Sequence, residues 1–308
     1  MKRILICAAA AIVALASCSK TQVVYNGAPE EIGFKTVTGV MTKADALTAV
    51  SMGVFAIQED GEFYDDMDNA KFIDKGGYWG GEITAYYWPL SGNLDFAVYA
   101  PHDANKASYD NVNDELTIEV NNGSLASQTD WLYGTTMLID KTKTNTNMPI
   151  PLKHALAEVV VNVTSDLVGL EIVSLTVTDT KQNGTLTVSY SNSDPATNDY
   201  EASSPSWSTE AAVPMELITD HEFTDNTAKE GKCYVIPSGQ TTIVISYKLT
   251  ETSSELPYTH TLNGNWAENT RYTYNISIGA NEIKFEPTEE TWLDESTPIT
   301  VDPNTPNN

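Results

Sequence analysis

The chain has 308 residues, with 42 acidic against 17 basic side chains and a formal charge of -25. A surface of that sign repels nucleic acid and anionic headgroups, which excludes both as partners. Of three cysteines, Cys7 and Cys18 belong to the N-terminal segment and Cys233 stands alone, so no internal disulfide framework can form.

Lys2 and Arg3 precede an uninterrupted apolar run from Ile4 to Ala16, and Leu15-Ala16-Ser17-Cys18 closes it with small residues before a cysteine. A run of that length rises only about 20 Å as a helix, short of the roughly 30 Å hydrocarbon core, so it does not suit a permanent span. It reads as a lipoprotein signal peptide over residues 1–17, with Cys18 as the lipidation site. A palmitate-type anchor of two or more acyl chains would hold stably, at about 0.8 kcal/mol per buried CH₂. The expected location is the cell outer membrane of a Gram-negative bacterium, surface-exposed, with the lipid as the membrane contact.

From residue 18 to 48 the chain is polar except where Ile32, Phe34 and Thr36 alternate as an extended strand. Ala44 to Met52 is the best helical stretch, and it is short. Period-two alternation then recurs. Leu94, Phe96 and Val98 share a face, as do Leu116, Ile118 and Val120; Val159, Val161 and Val163 follow, then Leu186, Val188 and Tyr190. Ile243, Ile245, Tyr247 and Leu249 continue the pattern, and Tyr272, Tyr274, Ile276 and Ile278 end it. Segments that bury one face and wet the other predict antiparallel sheets stacked as sandwiches. Turns are expected at Asn122-Gly123, Asn183-Gly184, Asn263-Gly264 and across Ser191 to Pro205. Met148-Pro149-Ile150-Pro151 reads as the break between domains, because two prolines remove donors and stiffen the chain. The predicted division is an N-terminal sandwich over 49–150, a C-terminal sandwich over 151–296 and a flexible tail over 297–308.

Several short pieces, in order, resemble the fimbrillin-like family, the lipoprotein subunits and accessory proteins of type V pili. They are the lipobox, Asp95-Phe96-Ala97-Val98-Tyr99-Ala100-Pro101, Asp130-Trp131-Leu132-Tyr133-Gly134, and Pro151-Leu152-Lys153-His154-Ala155-Leu156-Ala157. Tyr234-Val235-Ile236-Pro237 and Tyr272-Thr273-Tyr274-Asn275-Ile276, followed by Trp292, complete the set. The chain departs from the family's pattern at Leu152-Lys153-His154, which lacks an aromatic before the histidine, at Ser238 and at Asn269-Thr270. The resemblance implies two tandem transthyretin-like β-sandwiches. It also implies a mechanism: a protease removes the lipidated N-terminal strand, and the vacated groove takes a strand from the next subunit. In this chain Ile32 and Phe34 would plug the removable strand, Lys43 would be the processing site with Lys35 as the lesser alternative, and Ile299 and Val301 would lie in the donor strand. Partners implied are other fimbrial subunits and a host or bacterial surface receptor.

Chemistry of another kind has little to stand on. His102, His154, His221 and His260 are scattered without metal-ligand spacing, and no nucleophile elbow, phosphate loop or dinucleotide motif occurs. Asp65-Asp66-Met67-Asp68-Asn69 lacks the later glutamate and fixed glycine of a calcium loop and reads as a solvated acidic turn. No enzyme activity, metal or cofactor is expected. His154 is expected to pack rather than ligate, and Cys233 to serve as a small buried hydrophobe. The reading from a different class is a surface glycan-binding lipoprotein, with Trp79 and Trp88 of an aromatic-rich stretch as its platform. A hydrolase built from dispersed carboxylates is the remote third. Pro298-Ile299-Thr300-Val301 offers only two apolar plugs beside Pro298 and Pro303, which favours an accessory, tip or terminal subunit over a self-polymerising stalk.

Overall fold

A computed structural model describes residues 30–36, 51–134, 136–137, 148–194, 199–203, 205–237, 239, 241–249, 254–262, 266–279 and 283–291. The expected all-β sandwich architecture is observed. In chain order the first strands are β1 (Phe34–Thr36), β2 (Met52–Gln58), β3 (Ala70–Asp74), β4 (Trp79–Gly81), β5 (Leu94–Ala100), β6 (Ala107–Asp110) and β7 (Glu115–Asn121). A 3-10 turn at Leu125–Ser127 leads to β8 (Leu132–Gly134), β9 (Thr136–Met137), β10 (Met148–Ile150) and β11 (Leu152–His154). Then come β12 (Ala157–Ser165), β13 (Leu170–Thr178), β14 (Asn183–Asp194), β15 (Asp199–Ala202) and β16 (Ser206–Thr209). The last are β17 (Met215–Glu222), β18 (Lys229–Val235), β19 (Thr241–Leu249), β20 (Leu256–Leu262), β21 (Thr270–Ile278) and β22 (Ile283–Thr291).

One sheet runs β10-β1-β4-β3-β2-β5-β8-β11. Its two end strands are consecutive in sequence and separated only by Pro151, so the ends of the sheet lie together and it curls around its own core. Inside the curl lie Phe34, Met52, Val54, Phe72, Phe96, Val98 and Leu132. The opposite face of β2 and β5 is buried as well: Phe55, Ile57, Ala97 and Tyr99 pack against Leu116, Ile118, Leu186 and Val188 of a second sheet, β6-β7-β14-β15-β9. Two covered faces explain why β2 and β5 read as nearly continuous apolar runs.

The remaining strands form the sheets β18-β12-β21-β22 and β17-β13-β19-β20. They face one another across Val159, Val161, Ile172, Leu175, Ile243, Ile245, Tyr274 and Ile276. Cys233 is buried in this core, and desolvation pushes its thiol up to about 12, so its role is packing. His154 is buried too, but its Nδ1 lies 2.9 Å from Asp130 Oδ2, so it packs and ties two strand ends together.

Two turn expectations are corrected. Asn183-Gly184 opens β14, which pairs with β7 from Asn183↔Asn121 to Ser189↔Glu115 and with β16 from Gly184↔Thr209 to Thr187↔Ser206. Glycine is there for close approach: a Cβ on Gly184 would lie 2.6 Å from the Ser208 carbonyl oxygen. Most of Ser191 to Pro205 likewise belongs to a hairpin, with Tyr190↔Ala202 and Ser191↔Glu201 paired. Strand pairing therefore crosses Pro151, since β14, β15 and β16 of the second half complete a sheet begun by β6 and β7. The short helix expected from Ala44 begins outside the described residues, and its last member, Met52, opens β2.

Side-chain amides reinforce the joint between the halves. Gln128 Nε2 donates to the Tyr234 carbonyl at 3.0 Å, and the Tyr234 N–H donates to Gln128 Oε1 at 2.8 Å. Nearby, the Tyr133 hydroxyl donates to Glu268, which also pairs with Lys153.

Candidate functional site

Residues 30–36 enter the curled sheet as one stave. Glu31 bridges Tyr87, the Ile32 N–H donates to the Tyr86 carbonyl at 2.8 Å, and the Trp88 N–H donates to Glu30 at 3.0 Å. On the other side β1 runs parallel to β10, pairing Phe34↔Met148, Lys35↔Pro149 and Thr36↔Ile150, while Phe34 also pairs antiparallel with Trp79 of β4. Met148 N–H donates to Gly33 O at 3.0 Å. The alternate residue Pro149 faces away from that ladder, where its missing N–H removes no rung. The segment Met148 to Pro151, expected as a bare break, is thus a strand on one side of a one-strand slot, with the β4 region on the other.

Alternation along the stave does the rest. Ile32 and Phe34 are fully buried, and Lys35 between the two pairing partners is exposed. The Phe34 ring lies 5.3 Å from Phe72 and 5.3 Å from Phe96, the latter edge-on. Tyr86 stacks on Phe72 at 5.7 Å, and Trp88 meets Phe96 edge-on at 5.8 Å. These rings form a pocket whose contents are supplied by the chain's own N-terminal stave, and side chains this size contribute about 1.5–3 kcal/mol each when buried. At the mouth, the Tyr78 hydroxyl donates to Glu31 Oε2 at 3.3 Å; burial first, then the Glu31 charge, raises the phenol above its ordinary range.

The sequence reasoning found Ile32 and Phe34 but missed their hosts. Phe72, Tyr86, Met148 and Ile150 carried a usable signal only in Ala70-Lys71-Phe72, whose alternation is short. Trp79 and Trp88, expected as a sugar platform, are committed elsewhere: Trp79 is 9% exposed and Trp88 packs on Phe96. In the acidic turn, Met67 is buried in the curled sheet's core, while Asn69 accepts from the Tyr99 hydroxyl at 2.7 Å and donates to the Ala107 carbonyl at 3.1 Å. Cys18, Lys43, Ile299 and Val301 lie outside the described residues.

A family model described as fimbrillin-like matches residues 38–292. No curated protein matches the chain. Among solved structures, a Bacteroides uniformis protein described provisionally as a cell adhesion protein superposes with a TM-score of 0.57 at 14% identity, over 85% of this chain and 99% of that one. A fimbrial protein from Bacteroides vulgatus gives 0.54 at 18% identity, over 85% and 99%. A third, from Bacteroides ovatus and again provisionally assigned to cell adhesion, gives 0.54 at 12% identity, over 88% and 100%. At these identities the likeness is one of fold.

Proposed function

Because the chain belongs to the fimbrillin-like family, we propose that it is an adhesive or structural component of a bacterial surface fimbrium, assembled by strand exchange. The observation that carries the reading is the buried stave of residues 30–36: a short N-terminal strand held between β10 and β4 whose plugs Ile32 and Phe34 fill an aromatic pocket. Releasing it would open one slot with unpaired backbone on both sides and an empty pocket between them, which is the physical demand that β-augmentation meets. The slot has a direction, since an occupant must run parallel to β10 and antiparallel to β4.

In this reading the precursor travels as a lipoprotein acylated on Cys18 to the outer membrane. Processing follows Lys43 in preference to Lys35, because a protease needs unpaired chain and Lys35 sits within paired β1. The body divides near Pro151 into two sandwiches, with the hairpin from β14 to β16 lent by the second half to the first. The weak donor around Ile299 and Val301 supports an accessory, tip or terminal subunit, whose partners are other fimbrial subunits and a surface receptor.

The test starts from protein cut with trypsin and separated from its N-terminal fragment. A fluorescent peptide of residues 28–40 should rebind and restore protection of β4 and β10 amides, and the same peptide with Phe34→Asp should not. Equal binding of both peptides, or no release of the fragment after cleavage, would sink the proposal.

A further inference from the structure

Away from the slot, a trough of about 650 Å³ crosses the outer face of the second sheet. It is lined by the Ala104–Ala107 stretch and β6 at one side, β7 in the middle, and β14, β16 and Glu210 at the other, so both halves of the chain build it. Pairing sets its chemistry. Leu186↔Ile118 and Leu186↔Trp207 point inward, which turns the next pairs, Thr185↔Glu119 and Thr185↔Ser208, outward. Thr117 and Thr185 are half-buried in the floor, while Ser108, Glu119, Asn121, Ser208 and Glu210 stand exposed around them.

We propose that this trough binds an uncharged oligosaccharide through Thr117, Glu119, Asn121 and Thr185. The inference rests on no part of the strand-exchange reading. Its support is the pattern of donors and acceptors. Ser108 Oγ and Thr117 Oγ1 lie 2.8 Å apart, Lys106 Nζ donates to Glu119 Oε1 at 2.9 Å, and Asn121 Nδ2 donates to the same oxygen at 2.6 Å. Those two donors hold the Glu119 carboxyl below its ordinary range and keep this exposed group an acceptor. The hydroxyls of Thr185 and Ser208 have no side-chain partner among the described residues. Thr117, Glu119 and Asn121 line one strand, and Thr185 and Ser208 stand beside Glu119 on the next two strands, ~4.8 Å apart, so hydroxyl, amide and carboxylate groups spread over the floor offer donors and acceptors to the hydroxyls of a pyranose chain.

Other ligand classes fit less well. Lys106 against Glu119 and Glu210 leaves the lining mildly negative on an already acidic molecule, which disfavours anions. The ammonium of Lys106 beside Glu119 opposes a cation. Apolar surface is limited to alanine and threonine methyls, too little for a lipid or a peptide anchor. The volume lies within the ~300–1,000 Å³ range of small-ligand sites and accommodates roughly two to three sugar units.

Saturation-transfer NMR on the full chain, with maltotriose, cellotriose, mannotriose and chitotriose as probes and 3′-sialyllactose as the charged control, tests the site. At least one neutral trisaccharide should bind with a Kd of about 1 mM or tighter. Thr185→Arg, which fills the floor from an outward position, should weaken it by about tenfold or more with the melting temperature unchanged. Should that variant unfold, Ser208→Trp blocks the same trough from an exposed position. No transfer to any neutral probe, equal binding of the sialylated control, or full binding by the folded blocked variant would overturn the assignment.

Discussion

Replacing Phe34 with alanine isolates the contribution of the stave. The ring is fully buried, with Phe72 and Phe96 both at 5.3 Å. Truncating such a side chain costs about 3–5 kcal/mol, from lost transfer energy plus the cavity left behind. The edge-on contact with Phe96 contributes about 0.5–1.5 kcal/mol of that beyond area. For a chain of this size the loss corresponds to a fall in melting temperature of roughly 10 °C. Its location matters more than its size. The pocket belongs to the curled sheet and shares no residue with the core of β12, β13, β19 and β21. Hydrogen exchange on the uncut variant should therefore quicken at Val54, Phe72 and Phe96 and leave Val161, Ile172 and Ile245 as slow as in the parent. In trypsin-treated protein freed of its N-terminal fragment, the parent and variant should be indistinguishable, because the substituted residue has left with the strand. A loss under about 1 kcal/mol, or equal quickening in both cores, would show that the stave is not what closes the first sheet.

Three further outcomes are expected, two from the structure and one from the sequence. Burial, then the charges of Asp114 and Glu59, raises Asp95 to about 6 from 3.8, so the folded state holds a proton the unfolded chain gives up; stability should rise as pH falls from above 6 toward 3.8. Asp95→Asn should remove that slope and stabilise the protein at pH 7.5 by about 1 kcal/mol after screening, as read from urea midpoints at pH 5 and 7.5; a slope retained in the variant refutes the assignment. Gly184→Ala should cost about 1–3 kcal/mol by crowding the Ser208 carbonyl, with faster exchange in β16 than in β19 as the check. Cys18→Ala should abolish labelling by a fatty-acid analogue in cells that export the protein, and persistent label would exclude that cysteine as the acylated residue.

Alternation exposed the second sandwich well: Val159-Val161-Val163, Ile243-Ile245 and Tyr272 to Ile278 are strands with their predicted faces buried. The same rule located Ile32 and Phe34, because a plug must be apolar and its neighbours need not be. It could not say which strands meet. β14 has the period of any half-buried strand, and nothing local reveals that Leu186 lies opposite Ile118, a contact between residues far apart in the chain. Asn183-Gly184 misled for a related reason, since the dipeptide that favours tight turns also serves where one backbone must approach another. The slot was hidden by proline: Met148-Pro149-Ile150-Pro151 looks unfit for a sheet unless it is known that Pro149 faces away from the ladder. The trough was illegible altogether, being made of serines, threonines and asparagines on outward faces, which alternation registers only as the absence of a core.

A fibre of end-to-end subunits stays linear only if no subunit offers a second open rung at which another thread can start. Strand β18 is the exposed margin of its sheet, and Tyr234 turns both its N–H and its carbonyl outward there. The carboxamide of Gln128 takes both, as a strand's own peptide group would, and exposed Glu230 and Lys232 continue the margin with charge. A stray chain arriving at that margin finds the Tyr234 rung already filled by a single side chain, one that costs the protein no extra strand. Strand addition is thereby discouraged along this one margin of the second sandwich.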